Sequence, residues 1–375
     1  MVRMDLALAQ ITERVRAAAA DHTPLRIRGG GTKDFHGQSR HGEVLDTRSL
    51  MGIVSYEPSE LVVTARAGTP LAELEATLAA QGQCLPFEPP HFQQAGAEGA
   101  TVGGMVAAGL SGPARASVGA VRDFILGTQI LNGRAELLVF GGQVMKNVAG
   151  YDVSRLMAGA WGTLGLLTEI SLKVLPNAPG EATLRFERSQ ADALAQLHAW
   201  GGQPLPLNAS CWVHDAGVGT LYVRLRGAMA AVEAACRTMG GERMDNAVVA
   251  ADWTACREQT LPWFAARPAD HGLWRLSVPA TAPVLALPGA AQPLVEWHGA
   301  LRWVQAPLSA GDALREAARA AGGSAMLFVA PQDLEYGARG QLDLGSKALE
   351  QIHARIKQSF DPAGIFNPGR LSPHW

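Results

Sequence analysis

Glycine placement constrains this chain more than any other feature. Its 42 glycines are unevenly spread, with clusters in four stretches: Gly29 to Gly31, Gly96 to Gly112, Gly141 to Gly165 and Gly364 to Gly369. Glycine lets a backbone turn sharply or lie flush against a ligand or another strand of chain. Regular patterns flank the clusters. Leu25 to Arg28 alternates apolar and polar ahead of the first, and Leu61 to Arg66 reads as another short strand. Thr69 reads as the cap of a helix with Pro70 at its first position, Leu71, Leu74 and Leu78 on one face, and Gly82 at the stop. Val121 to Leu131 and Glu136 to Phe140 read as strands joined through Asn132-Gly133. Gly165 to Val174 predicts a strand with one buried face: Leu166, Ile170, Leu172 and Val174 inward, Glu169, Ser171 and Lys173 outward.

At Pro176 to Gly180 the texture changes. Thr183 to Glu187 is strand-like, and Ser189 caps a helix bearing Leu194 and Leu197 that stops at Gly201-Gly202. Leu221 to Arg226 alternates again, and Ala228 to Met239 is helical. Strand, helix, strand, helix suggests an α+β unit on the ferredoxin-like plan. Residues 279 to 308, rich in proline and alanine, read as including a long loop. A last helix with Leu349, Ile352 and Ile356 on one face leads into Asp361 to Arg370, DPAGIFNPGR. No internal repeat is visible in the sequence. The division expected is 1–176, 177–345, and a terminal segment 346–375 that returns to the first domain.

Composition removes several function classes. A chain of 375 residues that is 47% hydrophobic can bury two cores and is not disordered. Thirty-four acidic against 32 basic residues leave no global field to draw nucleic acid or an anionic membrane. Cys84, Cys211, Cys236 and Cys256 form no CxxC pair, which argues against an iron–sulfur or zinc site and for a reducing compartment. The ten histidines form no HxH or HExxH pair, so no metal site is expected. Charges interrupt every apolar stretch of the N-terminus, which reads as an amphipathic helix rather than a signal peptide, and no stretch is long enough to span a bilayer. The expectation is a cytoplasmic chain that reaches the inner membrane only through partners.

Each cluster admits two readings. Gly29-Gly30-Gly31-Thr32 after a strand suits phosphate oxygens or is simply a turn. The frame from Gly29 is G-x-G-x-x-D, with Asp34 where a dinucleotide-binding βαβ fingerprint needs glycine, and no Gly-Lys-Ser/Thr follows for a P-loop. Thr101-Val102-Gly103-Gly104 and the small residues to Gly109 suit a large flat ligand or close helix packing. Gly162 and Gly165 open the strand of Glu169 and permit a ligand close to the main chain.

In this order the clusters resemble the vanillyl-alcohol oxidase-like, PCMH-type FAD-binding flavoproteins, over residues 20 to 175 and the C-terminal decapeptide. The resemblance implies a two-subdomain FAD-binding domain with a smaller α+β cap. It also implies a place for each motif. Arg28, Gly29, Gly30, Gly31 and Thr32 (RGGGT) would wrap the FAD pyrophosphate. Thr101, Gly103 and Gly104 (T-x-G-G) would lie along the ribityl chain and flavin ring. Gly162, Gly165 and Leu167 (G-x-x-G-x-L-T-E) would hold the adenine side, and Asn367 would stand close to the ring. Further segments, Leu85-Pro86-Phe87 to His91, GGQVM at 141–145, KNVAGYD at 146–152 and Gly369-Arg370, resemble the E-subunit family of bacterial glycolate oxidases. Those assemblies combine a D subunit, an FAD-binding E subunit and an iron–sulfur F subunit, which implies an FAD-dependent oxidoreductase acting within a hetero-oligomer. Pro86 joins the expected cofactor contacts on this basis.

Two departures qualify the resemblance. Covalent relatives carry histidine where Thr32 stands, so non-covalent FAD is expected, with His36 a surface or loop residue. Catalytic 2-hydroxy-acid dehydrogenases of the family carry H-x-G-D-G-N-x-H in the cap, whereas Phe328 to Gly340 here has no histidine. No catalytic residue is assigned. His91, Glu88, Arg122, Asp123 and Arg302 are candidate carboxylate clamps or bases, each more readily read as an ordinary ion pair or loop residue. Lys146 could stand near the flavin or cap a strand, and Trp297 and Trp303 read as cap core or partner surface. Three functions stay open: an FAD-carrying subunit relaying electrons in a glycolate-oxidising assembly, a self-sufficient oxidase of a hydroxy acid or sugar lactone, and an assembly scaffold.

Overall fold

The computed structural model describes residues 2–37, 39–93, 96–142, 152–215, 217–290, 292–331 and 345–374. Lys146 with most of KNVAGYD, and the greater part of the histidine-free stretch 328–340, lie outside the described residues. The chain divides into two units. One comprises Met1–Leu110, Ala120–Pro176 and Glu335–Trp375, and the other Ser111–Gly119 and Asn177–Leu334.

In the first unit, helix α1 (Val2–Asp21) leads into β1 (Leu25–Arg28), which pairs in parallel with β2 (Glu43–Asp46). A five-stranded antiparallel sheet follows the order β3 (Ile53–Glu57), β4 (Val62–Arg66), β8 (Leu166–Lys173), β6 (Ile125–Leu131), β7 (Leu137–Gly141). A two-residue ladder joins β5 (Gln83–Cys84) to β9 (Leu175–Pro176). Helices α2 (Leu71–Ala79), α3 (Val102–Ala108), α5 (Val121–Phe124), α6 (Val153–Leu156) and α12 (Lys347–Phe360) complete the unit. Two cores result. Ile11 and Val15 of α1 pack with Leu25, Leu45 and Phe366, while Leu71, Leu74 and Leu78 pack with Val63, Met105, Ile130 and Ile170.

Three local expectations change. Strand β8 is central in its sheet; Glu169 and Lys173 keep partial exposure as expected, but Ser171 is buried and bonds across strands instead of facing water. The Ser171 hydroxyl meets that of Thr64 at 2.8 Å, and the Thr168 hydroxyl donates to the side-chain oxygen of Gln129 at 2.9 Å. Thr69 does not cap α2. Its hydroxyl accepts from the Gly52 amide, and Pro70 occupies the cap position. Residues 121–124 form a helical turn, and the following hairpin closes through Asn132, whose side chain accepts the amides of Arg134 and Glu136.

The second unit is built on one eight-stranded antiparallel sheet. Strands β10 (Gly180–Glu187), β11 (Leu207–Asp215), β12 (Val218–Gly227) and β13 (Glu242–Arg243), with helices α7 (Gln190–Gly201) and α8 (Met229–Met239), give the order β13-β10-β12-β11. That is the ferredoxin-like arrangement the sequence suggested. The other half, β14 (His271–Ser277), β15 (Leu294–Glu296), β16 (Leu301–Pro307) and β17 (Ser324–Val329), has the order β15-β16-β14-β17. It repeats the same plan in mirror order. Helix α11 (Gly311–Ala320) matches α8, but a loop stands where the first half has α7. The halves join through β11 and β15. The repeat lives in topology alone, because the two halves share apolar alternation but no side-chain pattern. Helices α4 (Arg115–Val118), α9 (Asn246–Glu258) and α10 (Pro262–Ala265) also belong to this unit. On one sheet face, Leu221 and Val223 pack with Leu194, Leu197 and Trp200 of α7, and Leu276 and Val304 pack with Leu314 and Ala318 of α11.

Candidate cofactor site

The loop leaving β1 is tight because its neighbours leave room for nothing else. A Cβ on Gly30 would lie 1.6 Å from the Gly99 carbonyl, and one on Gly29 would lie 2.4 Å from the Thr101 hydroxyl. Gly31 has φ +78°, and the Arg28 side chain crosses it to donate from Nε to Asp34 Oδ2 at 2.8 Å. Gly30 and Thr32 are buried. The amides of Gly30, Gly31 and Thr32 nonetheless donate to no acceptor among the described residues. Buried N–H groups are almost always paired in native proteins, and converging unpaired ones form a nest for an anion. Lys33, also buried, donates from Nζ to the Thr32 hydroxyl at 3.2 Å.

Helix α3 stands beside this loop. The Thr101 hydroxyl caps it by accepting the Gly104 amide at 3.2 Å. The two glycines divide their work. Gly103 donates its amide to the Ala67 carbonyl at 2.7 Å, and a Cβ there would strike the Ala67 side chain at 2.7 Å. A Cβ on Gly104 would meet only the Thr101 hydroxyl. Gly103 is thus required by close packing on the end of β4, and Gly104 keeps the adjoining wall flat.

The third cluster and the C-terminal segment close the site. Gly159 and Trp161 donate their amides to the Val106 and Ala107 carbonyls of α3. Asn367, at φ +44°, accepts the Ile27 amide at 2.8 Å and donates to the Trp161 carbonyl at 2.6 Å, so one side chain ties β1 to the Gly162 loop. A Cβ on Gly162 would lie 2.7 Å from the Asn367 amide nitrogen. Lys357, which sequence reasoning missed, holds the segment from α12. Its buried ammonium donates to Asp361 at 2.6 Å and to the Thr163 and Phe366 carbonyls at 2.8 Å. Burial pushes this lysine below its ordinary pKa, against the pull of the Asp361 carboxylate.

Together these parts enclose a cleft with about 810 Å³ of empty space, some of it open to solvent. Arg28, Gly29, Gly30, Gly31, Thr32, Thr101, Gly103, Gly104, Gly162, Gly165, Leu167 and Asn367 all line it. Pro86 does not line it and stands between the buried Leu85 and Phe87. Lys33, Asp34, Thr47, Ala67, Trp161 and Arg370 line it as well. Arg370 was legible as the end of the decapeptide, whereas nothing in the sequence marks Ala67. Arg370 donates to the Lys33 carbonyl at 3.1 Å and lies over the Trp161 ring at 5.3 Å. The donor set suits FAD. Unpaired amides and the cations Lys33 and Arg370 answer a diphosphate, while Ala67, Ala107, Met157, Ala160 and Leu167 offer low walls to flat rings.

The other residues singled out are not gathered here. His36 is a loop residue but not a surface one, for it is buried and stacked on Trp161 at 4.3 Å. His91 pairs with Glu75 at 2.9 Å. Arg122 and Asp123 are exposed and 3.9 Å apart. Arg302 is fully buried and donates to the Ala282, Pro283 and Gly299 carbonyls, a structural use of its charge. Trp297 and Trp303 are buried in the second unit. Among the described residues no three histidine, cysteine or carboxylate side chains meet as metal ligands, and no helix is long and apolar enough to cross a membrane.

Residues 7–141 match the family model described as an FAD binding domain. The fold is similar to that of p-cresol methylhydroxylase (TM-score 0.69, 13% identity, 98% of this chain and 88% of that one) and of alkyldihydroxyacetonephosphate synthase (TM-score 0.64, 14% identity, 96% and 75%). Fold and family match define a flavoprotein oxidoreductase of the PCMH type whose cofactor is FAD. The chain is also 46% identical, over 96% of its own length and 96% of the relative's, to glycolate oxidase subunit GlcE of Escherichia coli K12, and it belongs to that subunit family. Glycolate oxidase subunit GlcD of Bacillus subtilis is 27% identical over 49% of this chain and 38% of its own length.

Proposed function

We propose that this chain is the FAD-carrying subunit of a multi-subunit assembly that oxidises glycolate to glyoxylate. Its partners are a GlcD-like subunit with its own FAD and an iron–sulfur subunit. The observation that carries the reading is a glycine-walled cleft whose buried loop amides have no acceptor among the described residues, in a chain that is 46% identical to a glycolate oxidase subunit over 96% of both lengths. FAD, when bound, supplies an acceptor for two electrons. The chain's own residues hold it. Gly30 to Thr32, Lys33 and Arg370 bind the diphosphate, Thr101 to Gly104 run along the ribityl chain and ring, Gly162 to Leu167 hold the adenine side, and Asn367 fixes the two loops to each other. Binding is non-covalent, since Thr32 offers no imidazole and His36 is stacked on Trp161.

Held by these residues, FAD would supply an electron relay within the assembly, and the chain works in the cytoplasm, reaching a membrane only through partners. The test is reconstitution. This chain, a GlcD-like partner and the iron–sulfur subunit should co-purify and oxidise glycolate together, and the assembly without this chain should lose most of that activity. Full glycolate oxidation by the partners alone, or failure to associate, would defeat the proposal.

A further inference from the structure

The second unit holds a cavity that the cofactor cleft does not use. Leu221 and Val223 turn toward α7, so Tyr222 between them points to the opposite face of the sheet, as do Cys211 and Val213 on either side of Trp212. Over that face stand α9 and α10, and the space beneath them holds about 1160 Å³, part of it open to solvent. Tyr222, Trp253 and Trp263 line it with Val213, Val249 and Leu261. Cys211 and Cys256 add two thiols, and His214 and Asp252 are its exposed polar members.

The walls are set in place by bonds to residues outside the cavity. Trp253 donates from Nε1 to the Thr183 hydroxyl at 2.9 Å, and the Arg224 guanidinium lies 4.9 Å from the centroid of its ring. Trp263 donates from Nε1 to the Gln292 carbonyl at 3.3 Å. The Cys256 thiol donates to the Glu296 carboxylate at 3.2 Å. A hydrogen bond with Cys211, then burial, push that thiol well above its ordinary pKa, so it is a neutral wall and not a nucleophile. Among the described residues, no buried nitrogen or oxygen of a lining side chain lacks a hydrogen-bond partner. Water in such a space finds few partners, and an apolar ring displaces it readily. Three aromatic side chains favour a flat occupant, because stacked and edge-on rings gain beyond the area they bury. The polar members sort its substituents. No described lysine or arginine lines the cavity, whereas a carboxylate does, so a hydroxyl donor is served and an anionic group is not.

We infer that this cavity is a second small-molecule site, for a planar, uncharged ring compound that bears a hydroxyl group. The ring lies against Trp253, Trp263 and Tyr222, and the hydroxyl donates to the Asp252 carboxylate. The site goes beyond the reading above, since it takes a class of molecule to which glycolate, a small anion, does not belong.

Calorimetry of the flavin-loaded full chain tests the site with 1-naphthol as the probe. Saturable binding of one naphthol per chain is expected, with the flavin still bound. Decahydro-1-naphthol keeps the hydroxyl but is not flat, and 1-naphthalenesulfonate keeps the ring but is an anion. Each should bind at least tenfold more weakly. Trp263→Leu should weaken naphthol binding at least tenfold, Trp263→Phe should restore part, and Asp252→Asn should weaken it several-fold. Ala266→Trp places a bulky ring at an exposed lining position, so it should block binding while flavin content and unfolding midpoint stay at parental values. Absence of saturable binding, equal affinity for the flat and the saturated alcohol, or parental affinity in Trp263→Leu or Ala266→Trp overturns the inference. So does tighter binding of the sulfonate, for the cavity would then be an anion site. Release of flavin in step with naphthol uptake overturns it as well, because the probe would then occupy the cofactor cleft.

Discussion

The cofactor cleft and the cavity beneath α9 and α10 are built on opposite principles. The cleft is made of backbone: glycines let loops and a short helix approach within hydrogen-bonding distance, and amide groups are left over as donors. The cavity is made of side chains, drawn from β11, β12, α9 and α10. A backbone site depends on a few contiguous residues and tolerates little change of shape. A side-chain site depends on distant residues meeting and can be changed in chemistry without disturbing the fold. Substitutions in the two regions should therefore fail differently.

The largest effect is expected at Gly30. Gly30→Val places a branched side chain where the Gly99 carbonyl already stands, so the loop cannot close. Overpacking at such a position costs about 1–3 kcal/mol or more, and FAD should be absent from the purified variant by absorbance. Full flavin there would show that the loop is only a turn. Next comes Lys357→Met, which strands the buried Asp361 carboxylate. Breaking a buried pair from one side costs roughly 3–5 kcal/mol, so urea unfolding should shift by that amount and flavin affinity should fall with it. Adding Asp361→Asn should recover part of the loss.

These two predictions also mark what the sequence could and could not reveal. Gly29 to Gly31, Thr101 to Gly104 and Gly162 to Gly165 were legible because a glycine cluster announces close approach wherever it occurs. What the glycines approach was not legible: Gly103 meets Ala67, and Gly30 meets Gly99, rather than cofactor alone. Lys357 was hidden because a lysine four residues before an aspartate on a helix ordinarily reads as a solvated pair, and only burial changes its meaning. Ser171 of β8 read as an exposed position because alternation cannot tell an edge strand from a central one whose hydroxyls pair across the sheet. Tyr222, Trp253 and Trp263 were invisible as parts of one lining, since no local pattern links them.

In the second unit the effect should be smaller and confined to acid. His298 is held neutral by burial, with its pKa lowered from 6.5 to about 4. Between those values the unfolded chain takes up the proton first, so stability is fully present above pH 6.5 and is lost as pH falls toward 4. The loss amounts to at most about 3 kcal/mol. His298→Gln should flatten that slope in thermal melts across pH 4–7 and keep its flavin at pH 7. Loss of flavin at pH 7 would contradict the separation of the two regions. Smallest of all, Arg122→Ala removes an exposed contact 3.9 Å from Asp123. Such pairs are worth under about 1 kcal/mol, so melting temperature and flavin content should stay at parental values.

Non-covalent binding of FAD in the cleft of the first unit is tested directly by one measurement. The full chain is purified, its flavin is quantified against protein, and the sample is precipitated with acid. The prediction is close to one FAD per chain, all of it released to the supernatant, with Asn367→Ala loaded several-fold less because β1 and the Gly162 loop lose their shared bonds. A folded parental chain that carries no flavin and takes up none when FAD is added, or yellow colour that stays with the precipitate, would contradict it.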